Sequence, residues 1–270
     1  MQIAGSTILV TGASSGIGAA LAPMLAERGA TVGITARRRE RLEAVLAECQ
    51  VHAPESRLWA VDLGDLEAAV AVAQDAWDTF GGLDCVVHNA AIPKRVPVAR
   101  LTADLVDETM RINFTSPVRM TLALLGPMLE RGHGLTAFVS SVGGRIGIAH
   151  EAAYCASKFA LAGFSEAMAI DLYGTGVGVK LLLPGSIETE IWDQPGNDAA
   201  QFAGPFISPE DCALSIVAAL EDEGFEYFVP PNMPQSDRTY DEVVKGKTSN
   251  VDGWIGAMGQ MSHAHESGAA

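Results

Sequence analysis

The segment that decides the fold is Thr7–Gly18, TILVTGASSGIG. An apolar run, Thr7–Val10, is followed at once by the turn Thr11–Gly18 and then by an amphipathic stretch to Arg28. This order predicts a strand, a glycine-rich turn and a helix. Glycines permit a tight turn and close approach of a pyrophosphate, and the helix amino terminus offers free N–H groups. The segment predicts a dinucleotide site, although the turn alone also fits an ordinary tight turn.

Similar apolar runs recur along the chain, most of them separated by segments of helix length. They are Thr31–Thr35, Leu58–Val61, Asp84–His88, Thr136–Ser140, Val177–Leu183 and Phe225–Val229. Runs with little polar alternation are typical of strands buried on both faces, and helices between them imply parallel crossovers. The sequence predicts an α/β fold: a single Rossmann-like, doubly wound domain with a mostly parallel seven-stranded sheet flanked by helices.

The chain has no internal repeat or low-complexity linker that would mark a second domain. We predict a catalytic domain over residues 1–230, with a substrate lid at about 190–208. Residues 231–270 are predicted to form a partly irregular tail, because prolines 230, 231 and 234 precede a polar stretch. Pro23 falls inside the first predicted helix, where it would remove a hydrogen bond.

Composition excludes several classes of protein. Of 270 residues, 48% are hydrophobic and 19% charged, which suits a globular chain with a large core. The net charge of −15 argues against nucleic acid and against an anionic membrane surface. No apolar run is long enough to span a bilayer and the start lacks signal-peptide features, so we expect a cytoplasmic protein. Four scattered cysteines fit a reduced core, and His263 and His265 in the polar tail predict no metal site.

Arginines follow the second predicted strand, where an NAD-binding protein would place an acid on the ribose 2′-hydroxyl. A guanidinium suits the adenosine 2′-phosphate because it gives paired, charge-assisted hydrogen bonds. Arg37 is favoured for this contact, with Arg38 beside it, so NADP(H) is expected in preference to NAD(H). Arg39 and Arg41 fit a solvated helix face, paired with acids such as Glu40 or Glu43.

Tyr154 and Lys158 are four residues apart in a predicted helix, so their side chains share one face. A nearby ammonium favours the phenolate, and we expect Lys158 to lower the pKa of Tyr154 and make it a usable acid or base. The same spacing is also common among surface neighbours without function.

At this point the sequence resembles the short-chain dehydrogenase/reductase (SDR) family, from about Thr7 to Val229. Four motifs occur in order: Thr11–Gly18 is similar to TGxxxGxG, His88–Ala91 to NNAG, Tyr154–Lys158 to YxxxK, and Pro184–Gly185 to the PG after the sixth strand. Within the second motif, His88 replaces the first asparagine and Ala91 the glycine. These departures affect the expected cofactor affinity rather than the reaction.

The resemblance implies a catalytic set of Asn113, Ser141, Tyr154 and Lys158. Ser141 would hold the substrate oxygen together with Tyr154, Lys158 would bind the nicotinamide ribose, and Asn113 would support a proton relay. Without the resemblance, Asn113 fits a helix end or turn and Ser141 a strand end. Asp62 and Leu63 are similar to the family's adenine contacts, although Asp62 also fits a helix cap. Ile187 and Thr189 are similar to its carboxamide and phosphate contacts. The implied cofactor-binding residues are Gly12, Ser14, Ser15, Gly16, Ile17, Gly18, Arg37, Arg38, Asp62, Leu63, Asn89, Ala90, Ala91, Tyr154, Lys158, Pro184, Gly185, Ile187 and Thr189.

The implied activity is NADP(H)-dependent interconversion of a carbonyl and a secondary alcohol, with Tyr154 as general acid and base. Alternatives are an NADP(H)-binding sensor without chemistry, and an epimerase or dehydratase that uses the cofactor transiently. The lid is apolar, which indicates a hydrophobic small-molecule substrate or simply a lid that packs closed; its residues are Ile191, Trp192, Phe202, Phe206 and Ile207. A homo-oligomer, tetramer or dimer, is also implied, and the apolar helix Phe159–Leu172 fits either that contact or burial against the sheet.

Overall fold

The computed structural model describes residues 1–201, 204–234 and 236–266, with the side chains of residues 265 and 266 excepted. Its centre is one parallel sheet of seven strands in the order β3-β2-β1-β4-β5-β6-β7. The strands are β1 Thr7–Thr11, β2 Thr31–Ala36, β3 Arg57–Ala60, β4 Cys85–His88, β5 Gly134–Val139, β6 Val177–Pro184 and β7 Glu226–Val229. The predicted α/β fold is confirmed.

Helices cover both faces of the sheet. They are α1 Gly16–Glu27, α2 Arg39–His52, α3 Leu66–Phe80, α4 Ala103–Met110, α5 Ser116–Arg131, α6 Ala152–Asp171, α7 Pro209–Glu221, α8 Tyr240–Ser249 and α9 Val251–Glu266. One core layer contains the buried residues of α1, α2 and α7, and the other those of α3, α5 and α6. The strand order reverses between β1 and β4, and in such sheets ligands bind beyond the carboxyl ends of the strands at that reversal.

The pleat of β1 explains why a continuous apolar run was needed. Ile8 and Val10 enter one core layer, and Leu9 between them enters the other. All three side chains are fully buried, and each such burial stabilises the fold by about 1.5–3 kcal/mol. A strand buried on both faces therefore has no position for a polar residue until Thr11, where the site begins.

Two regions depart from simple helix rules. Helix α1 continues through Pro23 to Glu27, so the proline does not end it. Among the described residues between Pro230 and Thr239, a single bridge joins Asn232 and Thr239, and the chain then forms α8 and α9. Thr239 begins α8 with a capping box, in which its side chain and that of Glu242 bond each other's backbone N–H groups. Within the described ranges, no helix is long and apolar enough to cross a membrane.

Candidate active site

The glycine-rich turn joins β1 to α1 and packs tightly against the loop after β4. Gly12 has a φ of 70° and Gly16 a φ of 54°, the left-handed region that favours glycine. A Cβ at Gly12 would lie 2.7 Å from Ala90 Cα, and one at Gly18 would lie 2.6 Å from Asn89 Nδ2. The glycines thus provide both the turn and the space for the Asn89–Ala90 segment.

Hydrogen bonds fix that segment at the end of β1. The Thr11 hydroxyl accepts from the backbone N–H groups of Asn89 and Ala90, each at 3.0 Å. Asn89 Nδ2 donates to the Thr11 carbonyl at 3.0 Å. The β1 and β4 ends are therefore held together where the strand order reverses.

His88, which replaces an asparagine of the family motif, faces the core. Its ring stacks on Phe138 with centroids 5.2 Å apart, and Nε2 lies 2.9 Å from Thr121 Oγ1. Burial lowers the pKa of His88 to about 3, so the imidazole is neutral at neutral pH. The imidazole therefore packs among β4, β5 and α5 and adds no charge to the site.

Among the arginines after β2, Arg38 contacts the glycine-rich turn. Its guanidinium donates to Ser15 Oγ at 2.7 Å and to Ser14 Oγ at 3.2 Å, whereas Arg37 is exposed. Arg39 pairs with Glu43, as expected for a solvated helix face.

The prediction that Arg41 pairs with Glu40 or Glu43 is wrong. Arg41 lies three residues after Arg38, on the same side of α2, and both guanidiniums reach Glu190 in the predicted lid.

Asp62 and Leu63 follow β3 at the same end of the sheet. Asp62 Oδ1 accepts from Gly64 N at 2.9 Å, and Leu63 is buried in the core. The helix-cap alternative for Asp62 is wrong, because Asp65 caps α3 by accepting from Glu67 N and Ala68 N. The polar side chain of Asp62 is held at the edge of the site by its own turn.

Ser141, Tyr154 and Lys158 come together beyond the end of β5. Ser141 directly follows Ser140 after the strand, and its hydroxyl accepts from Gly143 N at 3.0 Å and bonds with Tyr154. Tyr154 and Lys158 share one face of α6, with Nζ 5.6 Å from the centre of the phenol ring. Lys158 Nζ donates to the Val139 carbonyl at 2.8 Å. The spacing in sequence therefore does produce a shared site.

The electrostatics of this trio differ from expectation. Burial raises the pKa of Tyr154, and the charge of Glu151 raises it further, while the bond with Ser141 acts in the opposite direction. Burial also lowers the pKa of Lys158 to about 7. The expected lowering of the tyrosine pKa by Lys158 is not found, because the lysine is itself desolvated and bonds a carbonyl rather than the phenol. The structure keeps Tyr154 protonated, in the form of a proton donor.

Asn113 lies in a π-helical turn, Arg111–Thr115, between α4 and α5. Its side chain accepts from Ile92 N at 2.8 Å and donates to Ile92 O at 2.9 Å and to Ser157 Oγ at 3.1 Å. Ser157 in turn donates to the Tyr154 carbonyl at 2.7 Å. Asn113 thus ties the loop after β4 to the helix that carries Tyr154; π-turns are frequent at functional sites.

Arg95 is a buried residue that the motifs did not reveal. It is 3% exposed and bonds Glu151 through Nε at 3.1 Å and the Asp198 carbonyl at 2.9 Å. Its guanidinium lies over the Trp192 ring, 5.0 Å from the centroid. Arg95 therefore attaches the predicted lid to the wall of the site beside Tyr154. A single arginine in a loop carries no sequence signal for such a role.

The apolar residues of the lid contact one another and the core. Trp192 and Phe206 have ring centroids 5.2 Å apart, Trp192 Nε1 donates to the Ile187 carbonyl at 2.6 Å, and Ile187 pairs with Ile207 in a short bridge. These contacts support the interpretation of a lid that packs closed. Phe202 lies outside the described residues.

The Pro184–Gly185 motif lies at the end of β6, whose last residue is Pro184, and the C-terminal segment covers it. A Cβ at Gly185 would overlap the phenol of Tyr240, which is buried at the start of α8. Thr189 lies against Gly16, where a Cβ would be 2.8 Å from Thr189 Cγ2. His263 is in α9, and the side chain of His265 lies outside the described part; within that part no three histidine, cysteine or acidic residues cluster as a metal site.

Comparison with known proteins identifies this arrangement. The family model described as short chain dehydrogenase matches residues 6–199. The chain is a member of the short-chain dehydrogenase/reductase family. This SDR is 32% identical over 228 residues to the D-threitol dehydrogenase of Mycolicibacterium smegmatis, covering 82% of the chain and 88% of the relative. It is 36% identical to the hydroxysteroid 11-beta-dehydrogenase 1-like protein A of Xenopus laevis, over 85% and 79% of the two chains.

Solved structures agree with the SDR fold over almost the whole chain. A short chain dehydrogenase from Burkholderia cenocepacia in complex with NADP superposes with a TM-score of 0.79 at 25% identity, covering 96% of this chain and 99% of that one. A metagenomic short-chain oxidoreductase in complex with NADP gives a TM-score of 0.72 at 31% identity, over 86% and 100% of the two chains. The protein is an oxidoreductase of this family.

Proposed function

We propose that this SDR is an NADP(H)-dependent oxidoreductase that interconverts a carbonyl and a secondary alcohol, with Tyr154 as general acid and base. The observation that carries the proposal is the convergence of Ser141, Tyr154 and Lys158 beyond β5, with Asn113 bracing the helix. A protein that only bound a dinucleotide would have no need of a phenol that lies with a serine hydroxyl against Gly143 and beside a buried lysine.

The residues at the carboxyl ends of β1 and β2 fit a dinucleotide phosphate. Glycines 12, 16 and 18 form a cradle that a Cβ would fill, and the amino terminus of α1 opens into it. Arg38, bonded to Ser14 and Ser15, supplies a guanidinium at the end of β2, where the sequence has no acid. NADP-bound relatives of this fold support a preference for NADP(H) over NAD(H). Arg37, the residue favoured from the sequence for the 2′-phosphate, stays a prediction, as do the other predicted cofactor contacts, Ile17, Ala91 and Pro184 among them.

The chemistry of the proposal is divided between cofactor and protein. A bound nicotinamide exchanges hydride with the substrate carbon. The Tyr154 hydroxyl donates its proton to the substrate oxygen in reduction and takes it back in oxidation, and Ser141 holds that oxygen by a hydrogen bond. Lys158 and Asn113 keep Tyr154 and the adjoining loop in place. The raised pKa of Tyr154 favours the protonated form, which is the form that reduction requires.

The substrate class proposed is a small ketone or aldehyde, and the corresponding alcohol, with apolar surroundings at the reacting carbon. The predicted lid covers the site with apolar side chains, among them Trp192 and Phe206, whose rings are in contact. A homodimer or homotetramer is part of the proposal, because apolar side chains of α5 and α6 are exposed; they are Leu122, Leu129, Phe159 and Ile170. A cytoplasmic location stays a prediction of the sequence.

Spectroscopic assay of NADPH consumption tests the function. Purified protein is mixed with NADPH and a panel of ketones and aldehydes, and with NADP⁺ and the matching alcohols. Replacing Tyr154 by Phe should lower turnover at least about 100-fold, since it removes the proton donor. Tyr173→Phe is the matched control, because Tyr173 is 93% exposed and lies just beyond the far end of α6. Equal turnover by the Tyr154 and Tyr173 variants would refute the role of Tyr154.

The alternatives predict other outcomes of the same assay. Tight NADPH binding without turnover across the panel would indicate a sensor. Product formation without net NADPH consumption would indicate an epimerase or dehydratase. Both outcomes would contradict the proposed reductase.

A further inference from the structure

The carboxylate of Glu190 bonds the guanidiniums of both Arg38 and Arg41. Arg38 Nη1 lies 2.7 Å from Glu190 Oε2, and Arg41 Nη1 bonds the other carboxylate oxygen, Oε1. Arg38 also donates to the hydroxyls of Ser14 and Ser15 in the turn itself. Each oxygen of one carboxylate thus has its own guanidinium, which is the arrangement these groups offer a phosphate.

Glu190 lies at the start of the predicted lid, next to a residue that packs against the glycine-rich turn. Glu190 follows Thr189, which lies against Gly16 of the turn, and begins the lid at residues 190–208. The two contacts join residues 152 and 149 positions apart, from the start of α2 and the residue before it on one side and the loop after β6 on the other. Neither arginine needs Glu190 for burial, because Arg38 is 41% exposed, Arg41 50% and Glu190 42%. Ion pairs this exposed are weak and exchange readily.

We propose that Glu190 is a specificity-determining residue of the cofactor site. Its carboxylate holds Arg38 and Arg41 and competes with the adenosine 2′-phosphate for the same guanidiniums. The inference rests on the proposed NADP(H)-dependent function and adds to it Arg41 as a second phosphate ligand and Glu190 as the internal competitor.

The charge of Glu190 and its hydrogen bonds both favour competition with a 2′-phosphate for Arg38 and Arg41. Bonds from Arg41 and then Arg38 hold the pKa of Glu190 below its usual value, which favours the ionised carboxylate. A 2′-phosphate brought to the same two guanidiniums would meet that anion. A ligand with a free 2′-hydroxyl carries no charge at this position and does not compete with Glu190 for the guanidiniums. The carboxylate should therefore weaken binding of 2′-phosphorylated ligands selectively.

The test measures binding, not turnover. Dissociation constants of NADPH, NADH, 2′,5′-ADP and 5′-AMP are determined by calorimetry for the wild type, Glu190→Gln, Arg41→Gln and Glu188→Gln. Glu188→Gln is the matched control, because Glu188 is exposed, lies two residues away and loses the same charge. Glu190→Gln should bind NADPH and 2′,5′-ADP about threefold to tenfold more tightly, as expected for release of two exposed ion pairs. NADH, 5′-AMP and the control should change less than about twofold.

Arg41→Gln should weaken NADPH and 2′,5′-ADP and leave NADH and 5′-AMP unchanged. The role of Glu190 is overturned if Glu190→Gln binds the 2′-phosphorylated ligands no more tightly than the wild type, or if it strengthens NADPH and NADH equally. A wild type that binds 2′,5′-ADP no more tightly than 5′-AMP would refute the 2′-phosphate site itself, and with it the proposed cofactor preference. The two failures are therefore distinguishable.

Discussion

Replacement of Lys158 by Met should make the protein more stable at neutral pH and below, and the gain should disappear as the pH rises. Lys158 is 2% exposed and its ammonium has one hydrogen bond within the described chain, to the Val139 carbonyl. Burial lowers its pKa from 10.5 to about 7. At about 1.4 kcal/mol for each tenfold change in proton affinity, the buried charge costs up to about 5 kcal/mol.

The direction in which stability changes with pH follows from the pKa of Lys158 in the folded and in the unfolded chain. Below about pH 7, Lys158 is protonated in both folded and unfolded chains, and the folded state bears the whole cost. Between about 7 and 10.5 the unfolded lysine holds a proton that the folded one has released, so stability rises with pH. Methionine has no charge to bury, and losing the bond to Val139 costs about 1 kcal/mol. The variant should be more stable by about 4 kcal/mol at low pH and slightly less stable above pH ~10.

Urea unfolding followed by tryptophan fluorescence, at about pH 6.5, 8 and 9.5, measures this difference. Other groups that titrate in the range, such as the buried cysteines, are common to both proteins and cancel. Lys245→Met is the control, because Lys245 is 75% exposed and its replacement should leave the pH dependence unchanged. A stability difference for Lys158→Met that is independent of pH, or a variant less stable at pH ~6.5, would refute the reasoning.

Two further predictions concern residues that hold the site together. Arg95→Met should destabilise the protein by about 3–5 kcal/mol, because it leaves the Glu151 carboxylate buried and unpaired. Burial already raises the pKa of Glu151, so in urea unfolding the loss relative to wild type should shrink at lower pH; a constant loss would argue against an unpaired charge. Gly185→Ala should lower both Tm and NADPH affinity, because its Cβ would overlap Tyr240. Gly126→Ala, with open space around it inside α5, should instead stabilise by about 0.4–1 kcal/mol; similar effects of the two changes would exclude the steric explanation.

The strands could be predicted from the sequence because the pattern that indicates each strand lies within a few consecutive residues. A strand buried on both faces must be apolar throughout, and the pleat of Ile8, Leu9 and Val10 between two core layers shows why. The pairing of Tyr154 with Lys158 was equally local, since four residues span about one helical turn. The pKa values of Tyr154 and Lys158 could not be predicted from their spacing in the sequence. They depend on how completely the sheet and α6 exclude water, and burial of both groups reversed the direction expected from charge proximity alone.

The residues that sequence reasoning missed all act across long separations in the chain. Arg95 bonds Glu151 across 56 positions and Asp198 across 103, and Arg41 meets Glu190 across 149. No periodicity connects such pairs, and each residue alone fits a solvated loop or helix face. They do share a location, since each joins the loop after β6 to the opposite wall of the site. The predicted catalytic groups, Ser141 after β5 and Tyr154 and Lys158 on α6, could be predicted from motifs. The side chains that hold the predicted lid in place could not be predicted in this way, because they depend on which distant loops the strand order brings together. Here that order places the carboxylate of Glu190 opposite the arginines after β2.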